Sequence, residues 1–433
     1  MRMWRNDGRR LFRFLQFVLC ATFIGGCEAT FGPDSSEELD RQYGGVVVAE
    51  EPQAVRIAQD ILLAGGTATD AAVALAFGLT VSLPSSAGLG GGGMCLVYDA
   101  EAGSAQALYF LPRPATGQAD SATWLVSVPA TARGLFALHS RYGRLPWSQV
   151  VMPAERLAGS GSIVSQALRH DLSDGGGVLV NDGRALDLFM PGRRSVAQQG
   201  DRLNQSGLAV TMSGIRTGAS KYFYSSEFSD SFDRSSKLAG ASVAASDIKG
   251  YKPEWVDIEA KQIGSLEAFR AVGQLGDLSK EAGNSGLAAV AATTGFTVAD
   301  VEGNAVACGL TMITPFGIGI MPPGFGFLFA PSPTNSPGIF LPLIVDIAVD
   351  PIINDVVYAA SPVESGRDQI MNTKMQSIFF APPSNLNEPG TPTRSNVFNT
   401  FYCDVGVRRD IERCTVKNDP ADAGFGIIVM REP

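Results

Sequence analysis

Histidine is nearly missing from this chain, with two in 433 residues, His139 and His170. A Ser-His-Asp triad or a His-rich metal centre therefore has little to draw on. The six cysteines show no zinc spacing with either histidine. Charged residues make up only 18% of the chain and acids prevail, for a formal net charge of -9. With no Lys/Arg stripe interleaved with aromatics, nucleic acid is excluded as a partner. No heptad, solenoid or collagen period is present. What remains is an ordinary globular composition, 45% hydrophobic. The length suits two or three average domains or one large α/β unit. The 49 glycines gather in turn-like runs rather than a repeat.

The N-terminus carries a processing signal. Arg2, Arg5, Arg9, Arg10 and Arg13 precede an apolar run from Phe14 to Ile24, too short to span a bilayer comfortably. It closes on Ile24-Gly25-Gly26-Cys27, small residues before a cysteine, as in a bacterial lipobox. A lipoprotein-type signal over 1–26 with lipidation at Cys27 is expected, followed by a polar tether over 27–43. This places the protein in the bacterial cell envelope, exported and held to a membrane by its lipid. A plain secretory signal that happens to contain a cysteine is the alternative. Cys95 and Cys308 sit in apolar runs and read as buried core residues rather than reactive thiols. Cys403 and Cys414, eleven residues apart in a loop-rich tail, suit a disulfide outside the cytoplasm.

Along the body, Gly44–Ala49 reads as a buried strand and Pro52 opens a helix that stops at Gly65-Gly66. Thr67-Ala68-Thr69-Asp70 has capping-box spacing and starts an apolar helix, Ala71–Leu79. The glycine loop Gly88–Gly93 feeds the strand Met94–Tyr98. It runs from helix to strand with no Gly-Lys-Ser/Thr after it, so it is not a phosphate motif. Ala130–Tyr142 and Trp147–Ala158 look helical, 170–205 reads as loop, and 206–250 as weak helices with serine-rich turns. From Thr293 the pattern turns to strands, with a hairpin across Val301-Glu302-Gly303-Asn304. Leu343–Val349, Val356–Ala360 and Gly424–Met430 are further apolar segments, and the tail beyond Ala381 reads as irregular until the last of them.

Several of these segments, taken in order, resemble the γ-glutamyltransferase (glutathione hydrolase) family. Gly66-Thr67-Ala68-Thr69-Asp70-Ala71-Ala72 is similar to its Gly-Asn-Ala-Val-Asp-Ala-Ala helix start, and Pro84–Gly93 to its Ser/Gly-rich loop. Val128-Pro129, Tyr142-Gly143, Leu145-Pro146-Trp147 and Pro153-Ala154 match the next block. Thr293-Thr294-Gly295-Phe296-Thr297-Val298 with Asp300, Gly303-Asn304-Ala305-Val306 and Thr311 resembles the start of its small subunit. The resemblance implies an α+β fold, the four-layer αββα N-terminal-nucleophile (Ntn) hydrolase sandwich of two antiparallel sheets. It divides the body into a large-subunit-like part, 44–292, and a small-subunit-like part, 293–433. It also implies self-cleavage before Thr293, which then attacks the γ-glutamyl carbonyl of a glutathione-like peptide. Freeing the α-amino group of Thr293 supplies its base, so no histidine is needed. Thr311 matches the threonine that bonds this amino group. No metal or organic cofactor is implied.

Departures from the family pattern lie in the substrate grip. Leu111 stands where the family has the arginine that holds the α-carboxylate, and Arg113 replaces it only by a two-residue shift. Ile313 stands in place of an asparagine, and Phe327–Ser332 lacks the acid that holds the α-amino group. The paired serines of a later loop are replaced near Gly338-Ile339-Phe340. Ser361-Pro362-Val363-Glu364 stands where Ser-Pro-Gly-Gly builds an oxyanion hole. Losing paired counter-charges removes roughly 2–5 kcal/mol of head-group recognition. Three functions follow as alternatives: a γ-glutamyl hydrolase or transferase, an Ntn amidohydrolase for less polar acyl groups, or an inactive, lipid-anchored binding or scaffold protein.

Overall fold

The computed structural model describes residues 44–116, 122–274, 292–333, 342–362, 398–418 and 424–430. The N-terminal signal and Cys27 lie outside them, as do Gly338-Ile339-Phe340, Val363 and Glu364. Strands follow in chain order as β1 (Gly44–Ala49), β2 (Gly92–Asp99), β3 (Ser104–Phe110), β4 (Arg113–Pro114), β5 (Ser127–Val128), β6 (Ser162–Ile163) and β7 (Arg202–Leu203). Next come β8 (Glu254–Ile258), β9 (Lys261–Ile263), β10 (Leu266–Gln274), β11 (Ala292–Asp300) and β12 (Ala305–Ile313). The last are β13 (Pro342–Asp350), β14 (Asp355–Pro362), β15 (Phe398–Cys403), β16 (Cys414–Lys417) and β17 (Phe425–Met430).

Two large antiparallel sheets form a sandwich. The first has the order β17-β1-β11-β12-β2-β3-β8 and the second β16-β15-β14-β13-β10-β9. Alternation along each central strand divides its side chains between two cores. Phe296, Val298, Val306 and Cys308 face the helices, while Ala299, Ala305 and Ala307 meet Leu343, Val345 and Phe401 of the second sheet. Every residue of β11 and β12 is buried, as expected for strands covered on both faces. On the outer face of the second sheet, Ala348, Val357, Tyr358 and Ala360 form a further small core.

The Ala68–Ser82 helix is buried along its whole length between the first sheet and its fellow helices. It extends three residues beyond the sequence-based expectation at each end. Its start is doubly anchored. Thr67 and Asp70 form the reciprocal capping box, with Thr67 N–H donating to Asp70 Oδ2 at 3.0 Å and Asp70 N–H to Thr67 Oγ1 at 3.2 Å. Asp70 Oδ2 also accepts from the backbone N–H groups of Arg144 at 3.0 Å and Leu145 at 3.1 Å. From the β11–β12 turn, Asp300 Oδ2 accepts Ala68 N–H at 2.8 Å. Two carboxylates thus complement the positive end of the helix, and burial pushes the Asp300 carboxyl above its usual range. The turn end of the hairpin is fixed here, which sets the register at its other end.

The segment read as loop over 170–205 instead contains short helices, Gln166–Gly175 and Gly183–Phe189. Their glycines mask strong local caps, Ser165 on Leu168 N–H and Asp182 on Arg184 N–H. The tail beyond Ala381 is likewise not irregular to Gly424, because β15 and β16 form within it. Strand character also begins at β8, well before Thr293. Cys95 and Cys308 are buried, but not as separate core thiols: they are joined, with S–S 2.04 Å. Cys403 and Cys414 form a second disulfide, S–S 1.99 Å, across β15 and β16. Among the described residues no helix is long and apolar enough to cross a membrane.

Candidate active site

Thr293 and Thr311 are opposite each other on β11 and β12, and Gly92 of β2 is opposite Thr311 on the other side. The pairing slips just before Thr293. Ala292 is opposite Ile313, which leaves Met312 as the extra residue of a β-bulge. Both threonines face the layer between the sheets, by alternation with Ala299, Ala305 and Ala307. The Thr311 hydroxyl donates to the carbonyl oxygen of Ala292 at 2.8 Å and accepts the N–H of Ile313 at 2.8 Å. The second bond occupies a lone pair and aims the proton at Ala292. To receive that N–H, the chain turns at Ile313 into the left-handed region, φ 68°. For a β-branched residue this is strained by about 1–3 kcal/mol.

The neighbouring Thr294 points the other way, and its hydroxyl donates to Glu50 Oε2 at 2.5 Å. Of the two adjacent threonines, only Thr293 shares a face with Thr311. Thr293 itself is 4% exposed.

Across the inter-sheet layer, Ser361 is opposite Asn399 on β14 and β15. Asn399 Nδ2 donates to the carbonyl of Gly295 at 2.6 Å, tying the second sheet to the backbone two residues beyond Thr293. Both side chains are buried, and among the described residues neither Asn399 Oδ1 nor Ser361 Oγ has a hydrogen-bond partner. Ser361 and Pro362 therefore lie on a strand facing β11. Asn399 escaped the sequence reading because the Pro/Asn/Thr content around it masks a short aromatic alternation, Phe398-Asn399-Thr400-Phe401-Tyr402, which is a strand signal. Asn399→Ala is expected to cost about 1–2 kcal/mol by leaving the Gly295 carbonyl unpaired. A urea midpoint unchanged from the parent would contradict that role.

Arg113 lies apart from this centre on β4. It is exposed, with its guanidinium 5.2 Å from the Tyr251 ring centroid. Leu111 occupies the inner position instead. It is half-buried against the inter-sheet core, just past the end of β3, whose Phe110 is opposite Gly93.

The glycine loop supports Thr311 from the side. A Cβ on Gly91 would come within 2.2 Å of the Thr311 carbonyl oxygen, and one on Gly90 within 2.1 Å of the Leu328 carbonyl. Gly91→Ala is therefore expected to displace Thr311, costing about 1–3 kcal/mol and slowing any chemistry at Thr293 without removing a reacting group. Comparing denaturation and chain processing in this variant checks both effects. Beyond the loop, Phe325, Phe327 and Phe329 are buried around Phe232 with ring centroids 5.0–5.8 Å away. Phe329 bridges to Gly90.

On the helical side, beside Glu50, Glu51 is fully buried. It accepts the Ser165 hydroxyl through Oε1, while Oε2 meets no hydrogen-bond geometry among the described residues. Burial pushes its carboxyl up to about 8, partly opposed by the Ser165 bond. Ser85 Oγ donates to Asp171 Oδ2 at 2.5 Å nearby. The Glu50-Glu51 pair between a strand and a Pro-started helix was visible in the sequence, but its burial was not.

Residues 54–270 match the family described as Gamma-glutamyltranspeptidase. The chain belongs to the γ-glutamyltranspeptidase family. The family match ends before Thr293. The chain is 30% identical over 258 residues to the glutathione hydrolase proenzyme of Bacillus subtilis strain 168, covering 53% of this chain and 43% of that protein. It is 32% identical over 225 residues to the glutathione hydrolase proenzyme of Escherichia coli K12, covering 48% and 38%. The match thus spans less than half the length of either relative. In architecture the chain is similar to cephalosporin acylase from Bacillus halodurans, with a TM-score of 0.67 at 18% identity over 89% of this chain and 96% of that one. That likeness is one of fold alone. The chain thus joins membership of that family to an α+β sandwich of two antiparallel sheets.

Proposed function

We propose that this protein cuts itself between Ala292 and Thr293 and then acts as a threonine amidohydrolase or acyltransferase on γ-glutamyl amides of glutathione-like compounds. The observation that carries the reading is the Thr311 hydroxyl on the carbonyl of Ala292, the peptide that would break. When Thr293 Oγ adds to that carbonyl carbon, negative charge develops on the oxygen already held by Thr311, the requirement for an oxyanion donor. Collapse breaks the Ala292–Thr293 C–N bond as the nitrogen takes up the proton given up by Oγ, leaving an ester on Oγ and a free α-amine. Water then releases the Ala292 carboxylate. The amine becomes the base for Thr293 Oγ, and Thr311, freed of its carbonyl, is positioned to bond the amine. In turnover Thr293 Oγ attacks the substrate acyl carbon, the amine or thiol peptide leaves, and water or an amino acid resolves the acyl-enzyme. A lipid on Cys27 holds the protein in the bacterial envelope in this reading.

A second substrate class, less polar acyl groups, is favoured by what surrounds the site. Leu111 lines the inter-sheet layer while Arg113 faces outward, and the aromatic cluster of Phe325, Phe327 and Phe329 lies beside the glycine loop. Intact-mass measurement of the reduced protein comes first, and a new N-terminus at Thr293 supports the reading. Release of anilide from γ-glutamyl and from uncharged acyl anilides then separates the substrate classes. An uncut chain that turns over neither would leave a binding or scaffold role.

A further inference from the structure

We infer that the processed protein is a two-chain molecule whose pieces are joined by one buried disulfide, Cys95–Cys308. The inference rests on self-cleavage before Thr293. Cys95 lies on β2, in the piece that ends at Ala292, and Cys308 lies on β12, in the piece that begins at Thr293. The two are direct partners across adjacent strands, with Cα atoms 4.1 Å apart and 213 residues between them in sequence. The other disulfide among the described residues, Cys403–Cys414, lies wholly within the second piece. It cannot join the two.

Cleavage changes what the Cys95–Cys308 bond does. In the uncut chain it closes a long loop and restricts the unfolded state. In the cut protein it becomes the covalent connection between the pieces, so that separating them no longer depends on dilution. The bond lies three residues from Thr311 and ties that strand to β2, whose Gly92 is the cross-strand neighbour of Thr311. It thereby holds the oxyanion donor beside the glycine loop after the peptide link to Ala292 is gone. Both sulfurs sit in the helix-side core among fully buried residues. A thiolate must reach a disulfide sulfur to reduce it, so thiol peptides, the products of the proposed reaction, are kept from it while the fold is intact.

The test uses the full-length exported protein, alkylated to block exchange and then denatured. Without reductant, mass analysis should find one species, heavier than the uncut chain by one water. With dithiothreitol it should resolve into two, one beginning at Thr293. A peptide map of the unreduced protein should contain the Cys95 and Cys308 peptides cross-linked. Two pieces that separate without reductant, with Thr293 as a new N-terminus, would overturn the inference and leave self-cleavage standing. A chain that stays whole after reduction would overturn both, and the missing Thr293 N-terminus would identify that failure. Combining Cys95→Ala with Cys308→Ala should let the pieces part without reductant. Pieces still joined in that variant would assign the link elsewhere and refute the pair. Should the variant fail to fold, the peptide map of the parent protein decides alone. A concentration-dependent Tm is expected for the cut and reduced protein but not for the cut and oxidised one.

Discussion

Thr293→Ala is expected to leave one uncut chain under reducing and denaturing conditions, with no turnover of any acyl anilide. Thr311→Val tests the same centre from the other side. It keeps the shape of the side chain and removes the hydroxyl that donates to Ala292. Losing one oxyanion donor slows such a step by roughly 100- to 1000-fold, so cutting should persist on a longer timescale. Thr294→Val serves as the control, because its hydroxyl is committed to Glu50 on the opposite face. It should still cut before residue 293. Cleavage or turnover surviving in Thr293→Ala would refute the assignment of the nucleophile, and a Thr311→Val chain that cuts at the parent rate would remove the oxyanion role of Thr311.

The second large effect is one of pH. Glu51 holds its proton to about 8 in the folded protein, against a reference value of 4.5. Between those values the unfolded chain releases a proton that the folded one retains. Stability from this group is therefore fully present below about pH 4.5 and is lost as pH rises toward 8. At about 1.4 kcal/mol per unit, the loss between pH 5 and 8 comes to roughly 3 kcal/mol. Glu51→Gln keeps an oxygen for Ser165 and removes the titration. Urea midpoints of parent and variant should diverge steadily across that range, with the variant the less pH-dependent of the two. Parallel curves would show that Glu51 is ionised in the fold and that its burial is relieved by some rearrangement.

How legible the molecule was depends on where the determining contacts lie. The Thr67–Asp70 cap, the Pro52 helix start and the β11–β12 hairpin are written in neighbouring residues, and each formed within a few positions of its expected bounds. The link between Thr293 and Thr311 came only from the family resemblance, and the hairpin then sets them opposite each other. Contacts made over long stretches of chain stayed hidden. Neither Cys95 nor Cys308 carries a mark of the other, since their meeting depends on β2 and β12 becoming neighbours. Asn399 and Ser361 belong to strands whose face toward β11 is chosen only when the two sheets stack. For Glu51, the sequence shows the acid but not the Ser165 loop that closes over it. The exchange of Arg for Leu at 111 was plain in the sequence, and the structure adds that Leu111 lines the inner layer while Arg113 stacks outside on Tyr251.

The strand order β17-β1-β11-β12-β2 has a consequence for biosynthesis. Strands from the two sides of residue 292 are interleaved in the first sheet, with β1 between β17 and β11, so β1 emerges from the ribosome long before β11 and β17 exist to pair with it. Pairings of such long range form slowly and leave sheet edges open in the meantime. The N-terminal portion made by itself would lack its central strands and should aggregate rather than fold. Expressing the two portions as separate genes would then yield soluble protein only when both are produced together.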